Sequence, residues 1–364
     1  TTGDTGPAAM RAVAEADCPL LSVIVSYPEG QISSFQRKQM TTIVSPRTHV
    51  CSFQGGGDDM DLPIKKMGMD EDFADEHGVC GVNSYNFGRP LMQMVHYFFT
   101  YFKIAKLRGV TDFESFRLDV VVPTGAMGNI VAAYISKKCG LPLHFLCASV
   151  NDNDITHRTI QKGEFHRCDE MKKTLSDAIN IQVPYNMERL LFYLTNSNSN
   201  LIASWYESMS AANQKLTIPP EWLAKLQLEF KSARINDEAM CQAMKRTHEK
   251  YKYYCDPHTS VAIAGAEELG YFANDNNNNN PVAIMATASP VKFQESVTIA
   301  LGPEAWEEYK SSPAYPANAK GLELKSETPP TLLERAADQS LEQAQQDWEA
   351  TVRKIIETKF QVVN

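Results

Sequence analysis

The pattern of apolar and polar residues over the first 75 residues predicts strands and helices in alternation. Leu20–Tyr27, "LLSVIVSY", predicts a buried strand, and residues 48–53, "THVCSF", predict a second strand. The segment between them, "ISSFQRKQMTTI", has helical spacing, and Ser33 or Ser34 is its expected N-cap. Helix and strand in alternation are typical of a small parallel α/β lobe, which we assign to residues 1–75.

A second helix is predicted from near Pro90 to Lys106. Its apolar residues at helical spacing are expected to face the core: Leu91, Met94, Val95, Phe98 and Phe102. Residues 118–122 then predict a buried strand, which a glycine loop joins to a helix over Ile130–Lys138. This order of strand, glycine loop and helix is one that proteins use to bind a phosphate group.

The remaining residues continue the alternation. Strands are expected at "LPLHFLCASV" and at Val282–Ser289, and helices over the polar residues 200–250 and around 332–359. We assign residues 76–364 to one large lobe with C-terminal helices. The chain is therefore expected to be a two-lobed α/β protein whose parallel sheets are flanked by helices.

Charge and composition exclude several classes of protein. The 364 residues include 44 acidic and 35 basic ones, a net charge of −9, which lacks the basic footprint of a nucleic-acid-binding protein. No apolar run reaches the roughly 18 residues that a membrane span needs. Eight scattered cysteines without CxxC spacing indicate mostly buried free thiols, so a cytoplasmic location is expected. The histidines show no spacing that is typical of a metal site.

Two Gly-x-x-Gly turns each precede a predicted helix, Gly3–Gly6 and Gly125–Gly128. Glycine lets backbone N–H groups approach an anion, and a helix N-terminus adds a favourable charge interaction of about 0.3–1 kcal/mol. Each turn by itself is also common at strand–helix corners, so a structural role stays open for both. Neither turn fits the GxGxxG pattern of dinucleotide sites. Hydroxyls beside the first turn, on Thr2 and Thr5, favour a carboxylate ligand there.

Further polar residues stand at predicted loop-to-helix boundaries. Asn83–Asn86, "NSYN", is followed by Arg89, whose guanidinium suits a phosphate group. A helix cap with a surface arginine is the alternative interpretation. Thr287 ends a predicted strand, where its hydroxyl suits either a ligand or the cap of the next turn.

Several long motifs resemble, in the same order, those of the threonine synthase family. The resemblance extends over most of the chain and is weakest over residues 200–250 and after 300. Where the synthases carry Gly-Asn-Phe-Gly and Ala-His-Pro, this chain has "GAMG" and "ATASP", which resembles the second threonine synthase-like group. The motifs that carry the resemblance are "TTGDTGPAAM", "YPEGQISSFQRKQMTT", "GVNSYNFGRPLMQMVHYFF", "VVPTGAMGNIVAAYISKKCGLP", "NDNDITHR", "NMERLLFYL", "DPHTSVAIAGAEEL" and "ATASPVKFQESV".

The resemblance implies a fold-type II pyridoxal 5'-phosphate (PLP) enzyme, similar to the β subunit of tryptophan synthase. It implies that the glycine loop holds the cofactor phosphate and that Thr287 meets the pyridine nitrogen. It also implies that the first turn receives the carboxylate of the substrate. The implied cofactor residues are Gly125, Ala126, Met127, Gly128, Asn129 and Thr287. The implied substrate residues are Thr2, Gly3, Asp4, Thr5, Gly6, Asn83, Asn86 and Arg89.

The implied reaction is elimination of phosphate from a small O-phosphorylated amino acid. O-phosphothreonine or O-phosphohomoserine would give 2-oxobutyrate, ammonia and phosphate, whereas a true synthase adds water and makes threonine. Ala126, Met127 and Ser289 depart from the synthase pattern and favour the lyase by association.

The family's Schiff-base lysine lies upstream of the first glycine turn. This chain begins at that turn, and Lys292 matches a different position, so we expect no catalytic residue in these 364 residues and a truncated, nearly inactive form. Threonine synthase proper and a non-catalytic isoform that acts in binding or signalling are the alternatives. A different nucleotide-binding α/β enzyme is a weaker one. The oligomeric state is not predicted.

Overall fold

The computed structural model describes residues 1–364 except 2, 58, 169, 212–214, 274–279 and 361–364. It divides into two compact units, residues 1–83 with 313–364, and residues 84–312. None of the helices in the described ranges is long and apolar enough to cross a membrane. The described strands are β1 (Val23–Pro28), β2 (Thr48–Phe53), β3 (Leu118–Pro123), β4 (Leu143–Val150), β5 (Glu164–His166), β6 (Lys215–Thr217), β7 (Phe230–Arg234), β8 (Val282–Ile284) and β9 (Thr331–Leu333). The described α-helices are α1 (Thr5–Glu15), α2 (Ser34–Thr41), α3 (Asp61–Met69), α4 (Glu71–His77), α5 (Gly88–Leu107), α6 (Gly128–Lys138), α7 (Ile155–Lys162), α8 (Asn186–Leu194), α9 (Ser199–Ala211), α10 (Pro220–Glu229), α11 (Asp237–Tyr251), α12 (Pro257–Glu268), α13 (Gln294–Leu301), α14 (Pro303–Ser311) and α15 (Leu341–Lys359).

The first unit is built on a parallel sheet with the strand order β1-β2-β9. Leu333 of β9 pairs with Phe53 of β2, and Trp348 of α15 is fully buried against the same phenylalanine, with 5.4 Å between the ring centroids. The indole Nε1 of Trp348 donates to the carbonyl of Glu334 at 2.8 Å, as a buried indole requires. The end of the chain therefore completes the sheet and the core of the first unit.

This arrangement differs from the expected lobes 1–75 and 76–364. The boundary falls after Asn83, and residues 313–364 belong with the first unit. The physical reason is that a parallel strand such as β9 pairs through backbone hydrogen bonds with residues far away in the chain, which leave no local signal.

The second unit contains a four-stranded parallel sheet in the order β7-β4-β3-β8. All six residues of β3 are buried, which is typical of a parallel strand with helices on both faces. Val120 and Val122 belong to the apolar cluster that contains α6, whereas Val121 packs with Ala262 and Ala266 of α12. Because the strands are parallel, the carboxyl ends of all four lie at one edge of the sheet, where such folds bind ligands.

The buried face of α5 is not the one expected from its apolar residues. Tyr97, Tyr101 and Ala105 are buried, whereas three of the expected core residues are about half exposed: Leu91, Val95 and Phe102. Met94 and Phe98 do pack partly against the core. Tyrosine can occupy a core position when its hydroxyl is hydrogen-bonded, as that of Tyr101 is to the carbonyl of Phe116 at 3.2 Å.

Two strand predictions also need correction. Residues 200–250, expected to be helical throughout, contain β6 and β7, and β7 pairs with β4 along its whole length. The strand after Pro281 ends at Ile284 rather than at Ser289. Both differences arise because pairing with a neighbouring strand, rather than local propensity, sets these ends.

The cysteines are less buried than expected. All eight are described and free, but only Cys51, Cys147 and Cys255 are buried. Burial raises the pKa of each of these three thiols to about 12, so that they stay protonated and unreactive.

Candidate functional site

The glycine loop connects the carboxyl end of β3 with the start of α6. Thr124 fixes the end of the strand, since its N–H donates to the Ser149 carbonyl at 2.8 Å and its hydroxyl to the Val122 carbonyl at 2.7 Å. Met127, at the N-cap of α6, has a φ of 63°, a left-handed conformation that a non-glycine residue adopts at an energetic cost. Met127 is also buried, and a buried residue with a strained backbone at the carboxyl edge of a parallel sheet is typical of a functional loop.

The first turn of α6 offers backbone donors to an anion. Within the described residues, no side chain caps this helix, so the N–H groups of Gly128 and its two successors are not used by a cap. The hydroxyl of Tyr97 donates to Oδ1 of Asn129 at 2.6 Å, and burial raises the pKa of Tyr97, which keeps the hydroxyl protonated. Because Oδ1 of Asn129 accepts from Tyr97, the NH2 group of the Asn129 side chain is the one that can donate to an anion.

At position 125 of the loop, the neighbouring residue Ile179 leaves room only for glycine. A Cβ there would lie 2.8 Å from the Cα of Ile179, which belongs to a short 3₁₀ turn over Asp177–Ile179. A backbone atom cannot move aside as a flexible side chain can. The close approach of Ile179 therefore fixes the shape of the loop.

The first residue of α8 ties the loop to the "NSYN" segment. Nδ2 of Asn186 donates to the Ala126 carbonyl at 2.9 Å and to the Ser84 hydroxyl at 3.3 Å. Its Oδ1 accepts from Arg189, whose Nη2 also donates to the Tyr85 carbonyl at 2.8 Å. This network fixes the direction of the Ala126 carbonyl, which points to Nδ2 of Asn186.

The first two turns of α5 carry two long polar side chains, Gln93 and Arg89, and Gln93 lies near the glycine loop. Oε1 of Gln93 is buried and, within the described part of the chain, has no hydrogen-bond partner. It lies 3.7 Å from where a Cβ at Gly128 would stand, and a turn of the amide would present its NH2 group instead. Burial lowers the pKa of Arg89, which nevertheless stays cationic. Oδ1 of Asn86 accepts from the Gly88 N–H at 2.9 Å, at the start of α5.

Thr287 is exposed three residues beyond the end of β8. Since β8 pairs with β3, whose carboxyl end leads into the glycine loop, Thr287 follows the strand end at the same edge of the sheet. The sequence placed it within a strand, but the structure places it in the loop after one.

The other glycine turn belongs to the first unit and is closed by its own chain. The hydroxyl of Thr1 accepts from the N–H groups of Gly3 and Gly6 at 3.2 and 3.1 Å. Nε2 of Gln36, a buried residue, donates to Oδ1 of Asp4 at 3.3 Å. Thr2 lies outside the described residues, Thr5 begins α1, and Asn83 is the last residue of this segment of the unit.

Sequence reasoning missed several side chains that shape the site. Asn186, Arg189 and Tyr97 were not assigned a role, and Ile179 was not noticed at all. The available signal for Asn186 was its position at the start of the motif "NMERLLFYL". Ile179 carries no such signal, because its role depends on a backbone contact across 54 residues.

The comparisons with known proteins point to the threonine synthases and their relatives. Residues 259–345 match the family model "Threonine synthase, C-terminal". The chain is 39% identical to threonine synthase-like 2 of Mus musculus over 84% of its own length and 61% of that protein. It is 34% identical to threonine synthase-like 2 of Xenopus laevis over 98% of its length and 69% of that protein. The chain belongs to the threonine synthase-like family.

Two solved threonine synthases have the same fold. The PLP-bound enzyme from Brucella melitensis matches 100% of this chain and 70% of its own with a TM-score of 0.81 and 28% identity. The enzyme from yeast matches 97% of this chain and 69% of its own with a TM-score of 0.79 and 30% identity. The fold is therefore the fold-type II of PLP enzymes, and the expected parallel sheets flanked by helices are confirmed. The chain spans less than two thirds of the length of the mouse family member.

Proposed function

We propose that this protein is a PLP-dependent phospholyase whose loop Gly125–Asn129 binds the phosphate group of the cofactor. The observation that carries the proposal is the start of α6, where backbone N–H groups not used by a side-chain cap lie at the carboxyl edge of a parallel sheet. The Brucella melitensis threonine synthase, which shares this fold, is described as PLP-bound, and this supports the choice of anion.

The residues of the loop fit a phosphate group. Only glycine can stand at position 125, the Ala126 carbonyl is held by Asn186, and no residue of the loop itself carries a negative charge. Backbone donors and the amide of Asn129 then contribute the hydrogen bonds, and Met127 and Ile130 bury the helix start in apolar surroundings. Hydrogen bonds to a charged acceptor are stronger in such surroundings than in water.

When bound, PLP supplies an electron sink for the negative charge that develops at the substrate carbon. Thr287 is our candidate partner for the pyridine nitrogen, and a neutral hydroxyl leaves that nitrogen largely unprotonated, which moderates the sink. Thr287 is exposed in the loop after β8, so its hydroxyl is accessible to a ligand at this edge of the sheet.

The substrate we propose is a small O-phosphorylated amino acid, with O-phosphothreonine and O-phosphohomoserine as the candidates. Arg89 would bind its phosphate group, since a guanidinium offers two parallel donors to an oxyanion. Asn83 and Asn86 are further candidate contacts, and residues 2–6 are our candidates for the carboxylate. Ala126, Met127 and Ser289 depart from the threonine synthase pattern, and by this association we propose elimination to 2-oxobutyrate rather than synthesis of threonine.

A binding experiment tests the first part of the proposal. The chain is titrated with PLP and, as the control, with pyridoxal, which lacks the phosphate group, and binding is followed by absorbance. We expect saturable binding of PLP and at least about tenfold weaker binding of pyridoxal, because about 1.4 kcal/mol of phosphate recognition is lost. Equal affinities would contradict a phosphate site at α6.

A product analysis tests the second part. The PLP-loaded protein is incubated with each phospho-amino acid, and phosphate, ammonia, 2-oxobutyrate and threonine are measured. Phosphate with equal amounts of 2-oxobutyrate and ammonia supports the lyase, and phosphate with threonine would make the protein a synthase. PLP binding without any turnover is the result expected if these 364 residues hold no Schiff-base lysine. The assay is then repeated on a form extended upstream of Thr1, where turnover supports the lyase and no turnover supports the non-catalytic alternative.

A further inference from the structure

A segment with little regular structure forms the wall of the glycine loop. Residues 172–181, which we name the strap, contain only the 3₁₀ turn over Asp177–Ile179. Ile179 of this turn is the residue whose Cα would lie 2.8 Å from a Cβ at Gly125. Because a segment without a helix or strand does not hold its own shape, the position of the strap depends on side chains from elsewhere in the unit.

Two asparagines that follow β4 hold both ends of the strap. Nδ2 of Asn151 donates to the Thr174 hydroxyl at 2.9 Å and to Oδ1 of Asn180 at 2.7 Å. Nδ2 of Asn153 donates to the Lys172 carbonyl at 2.9 Å, and its Oδ1 accepts from the Lys172 N–H at the same distance. Both asparagines are buried, so these hydrogen bonds replace ones that water would make.

A buried histidine holds the centre of the strap. His258, the second residue of α12, is only 2% exposed, and its Nε2 accepts from the N–H of Ala178 at 3.1 Å. Its Nδ1 lies 3.1 Å from Oδ1 of Asp256, and its ring packs edge-on against Phe293 with 4.9 Å between the centroids. Since Nε2 accepts a hydrogen bond, Nδ1 carries the proton and donates it to Asp256.

The carboxylate of Asp256 is suited to accept the hydrogen bond from Nδ1–H of His258. Burial raises the pKa of Asp256, but hydrogen bonds from His258 and Thr259 outweigh that effect and lower the pKa below its ordinary value. Asp256 is therefore ionised and accepts from Nδ1–H. Asp177 also lies near the ring, with Oδ1 3.8 Å from Nε2.

The histidine itself stands on a firmly placed helix. The Ser149 hydroxyl, near the carboxyl end of β4, donates to the Val261 carbonyl at 2.7 Å. Gly265 approaches the same serine so closely that a Cβ there would lie 2.2 Å from its Oγ. α12 thus cannot shift relative to the sheet without breaking these contacts, and His258 transmits that position to Ala178.

We propose that His258 is a positioning residue for the candidate phosphate site. It fixes the Ala178–Ile179 backbone against Gly125 and thereby keeps the glycine loop in the shape that binds the anion. Both ring nitrogens are engaged within the protein, so His258 acts on the ligand only through the strap. The link to affinity rests on the proposed function, whereas the mechanical coupling between strap and loop does not.

Two variants separate the contacts of the two ring nitrogens. His258→Asn retains a donor near the place of Nδ1 but has no acceptor for the Ala178 N–H. His258→Gln is the matched control, because its Oε1 reaches the place of Nε2 and can accept from Ala178. Hydrogen exchange of peptides covering the strap and residues 124–131 is measured by mass spectrometry for both variants and the wild type, together with PLP affinity and melting temperature.

We expect His258→Asn to exchange faster in both peptides and to bind PLP about tenfold more weakly, since the loop loses its fixed wall. We expect His258→Gln to stay within about threefold of the wild type in affinity, a small change on the same scale. Faster exchange in the strap alone, with the loop and the affinity unchanged, would overturn the proposal and leave His258 a structural core residue. Equal behaviour of the two variants would show that the bond to Ala178 is not responsible.

Two further observations keep the test decisive. If His258→Asn does not fold, the wild type decides, because coupling is reciprocal and bound PLP must then slow exchange in the strap. Exchange in the strap that ignores PLP would contradict the proposal. If the wild type binds no PLP while His258→Asn loosens both peptides, the proposed function fails and the mechanical coupling stands.

Discussion

The two Gly-x-x-Gly turns look alike in sequence but differ in what their backbone donors contact. In the first unit, the N–H groups of Gly3 and Gly6 donate to the hydroxyl of Thr1. In the second unit, no side chain of the described residues caps α6 behind Gly125–Gly128. The pattern of glycines is thus the same, and the difference lies in whether the chain itself supplies an acceptor.

The helices that follow the two turns also differ in how deeply they are buried. α6 buries eight of its eleven residues, whereas α1 buries four, so the second turn is fixed much more firmly in a core. Ser84, Gln93 and Asn186 approach Gly128 with polar atoms or side chains. A glycine turn becomes a convincing anion site when a rigid helix start, a close wall and unused donors occur together.

The largest expected effect comes from alanine at one glycine of each turn. In Gly125→Ala, the new Cβ meets the backbone of Ile179, so we expect a loss of stability of about 1–3 kcal/mol and at least about tenfold weaker PLP binding. In Gly6→Ala, the Cβ would lie 2.5 Å from Cγ1 of Val25, which predicts a similar loss of stability and an unchanged affinity. Thermal melts and PLP titrations of both variants test the difference. If both lose affinity equally, the two turns are not distinct in function.

A smaller effect is expected from Asn186→Asp. A carboxylate cannot donate to the Ala126 carbonyl and adds a negative charge beside the loop, so we expect about tenfold weaker PLP binding, or about 1.4 kcal/mol. Asn236→Asp is the matched control, since it adds the same charge in the same unit at an N-cap where aspartate is equally good. Similar affinities of the two variants would remove Asn186 from the site.

The smallest expected effect concerns the first unit alone. Burial and the ammonium of Lys359, 2.9 Å from Nδ1, lower the pKa of His49 below 6.5. The folded state therefore disfavours the protonated ring, so stability is retained above pH 6.5 and decreases as the pH falls below it. Lys359→Gln removes part of this shift, and we expect a shallower acid loss in melts between pH 7.5 and 5. PLP affinity at pH 7.5 is expected to stay unchanged, and a weaker affinity would mean that the two units are coupled.

Local sequence predicted elements whose pattern lies within their own residues. Of the two expected N-caps, Ser33 and Ser34, Ser33 caps α2, in a capping box with Gln36, and residues 48–53 form β2 with the predicted ends. The glycine loop and the start of α6 could also be located, because a buried strand, glycines and an apolar helix follow one another within about 20 residues, the scale of one β–loop–α unit. The phosphate group of PLP as the proposed ligand of this loop came from the family resemblance, since no local pattern contains it.

By itself, the sequence determined the class of fold, the order of the elements over residues 20–53 and 118–150, and the position of the glycine loop, since these depend on periodicity and on neighbouring residues. Only the tertiary structure decided that β9 and α15 complete the first unit, that β7 pairs with β4, and which face of α5 is buried. The same holds for the contacts of Ile179 with Gly125 and of His258 with Ala178. Each of these features joins residues far apart in the chain by backbone contact or a single hydrogen bond, and such pairings are selected by the packing of the whole unit.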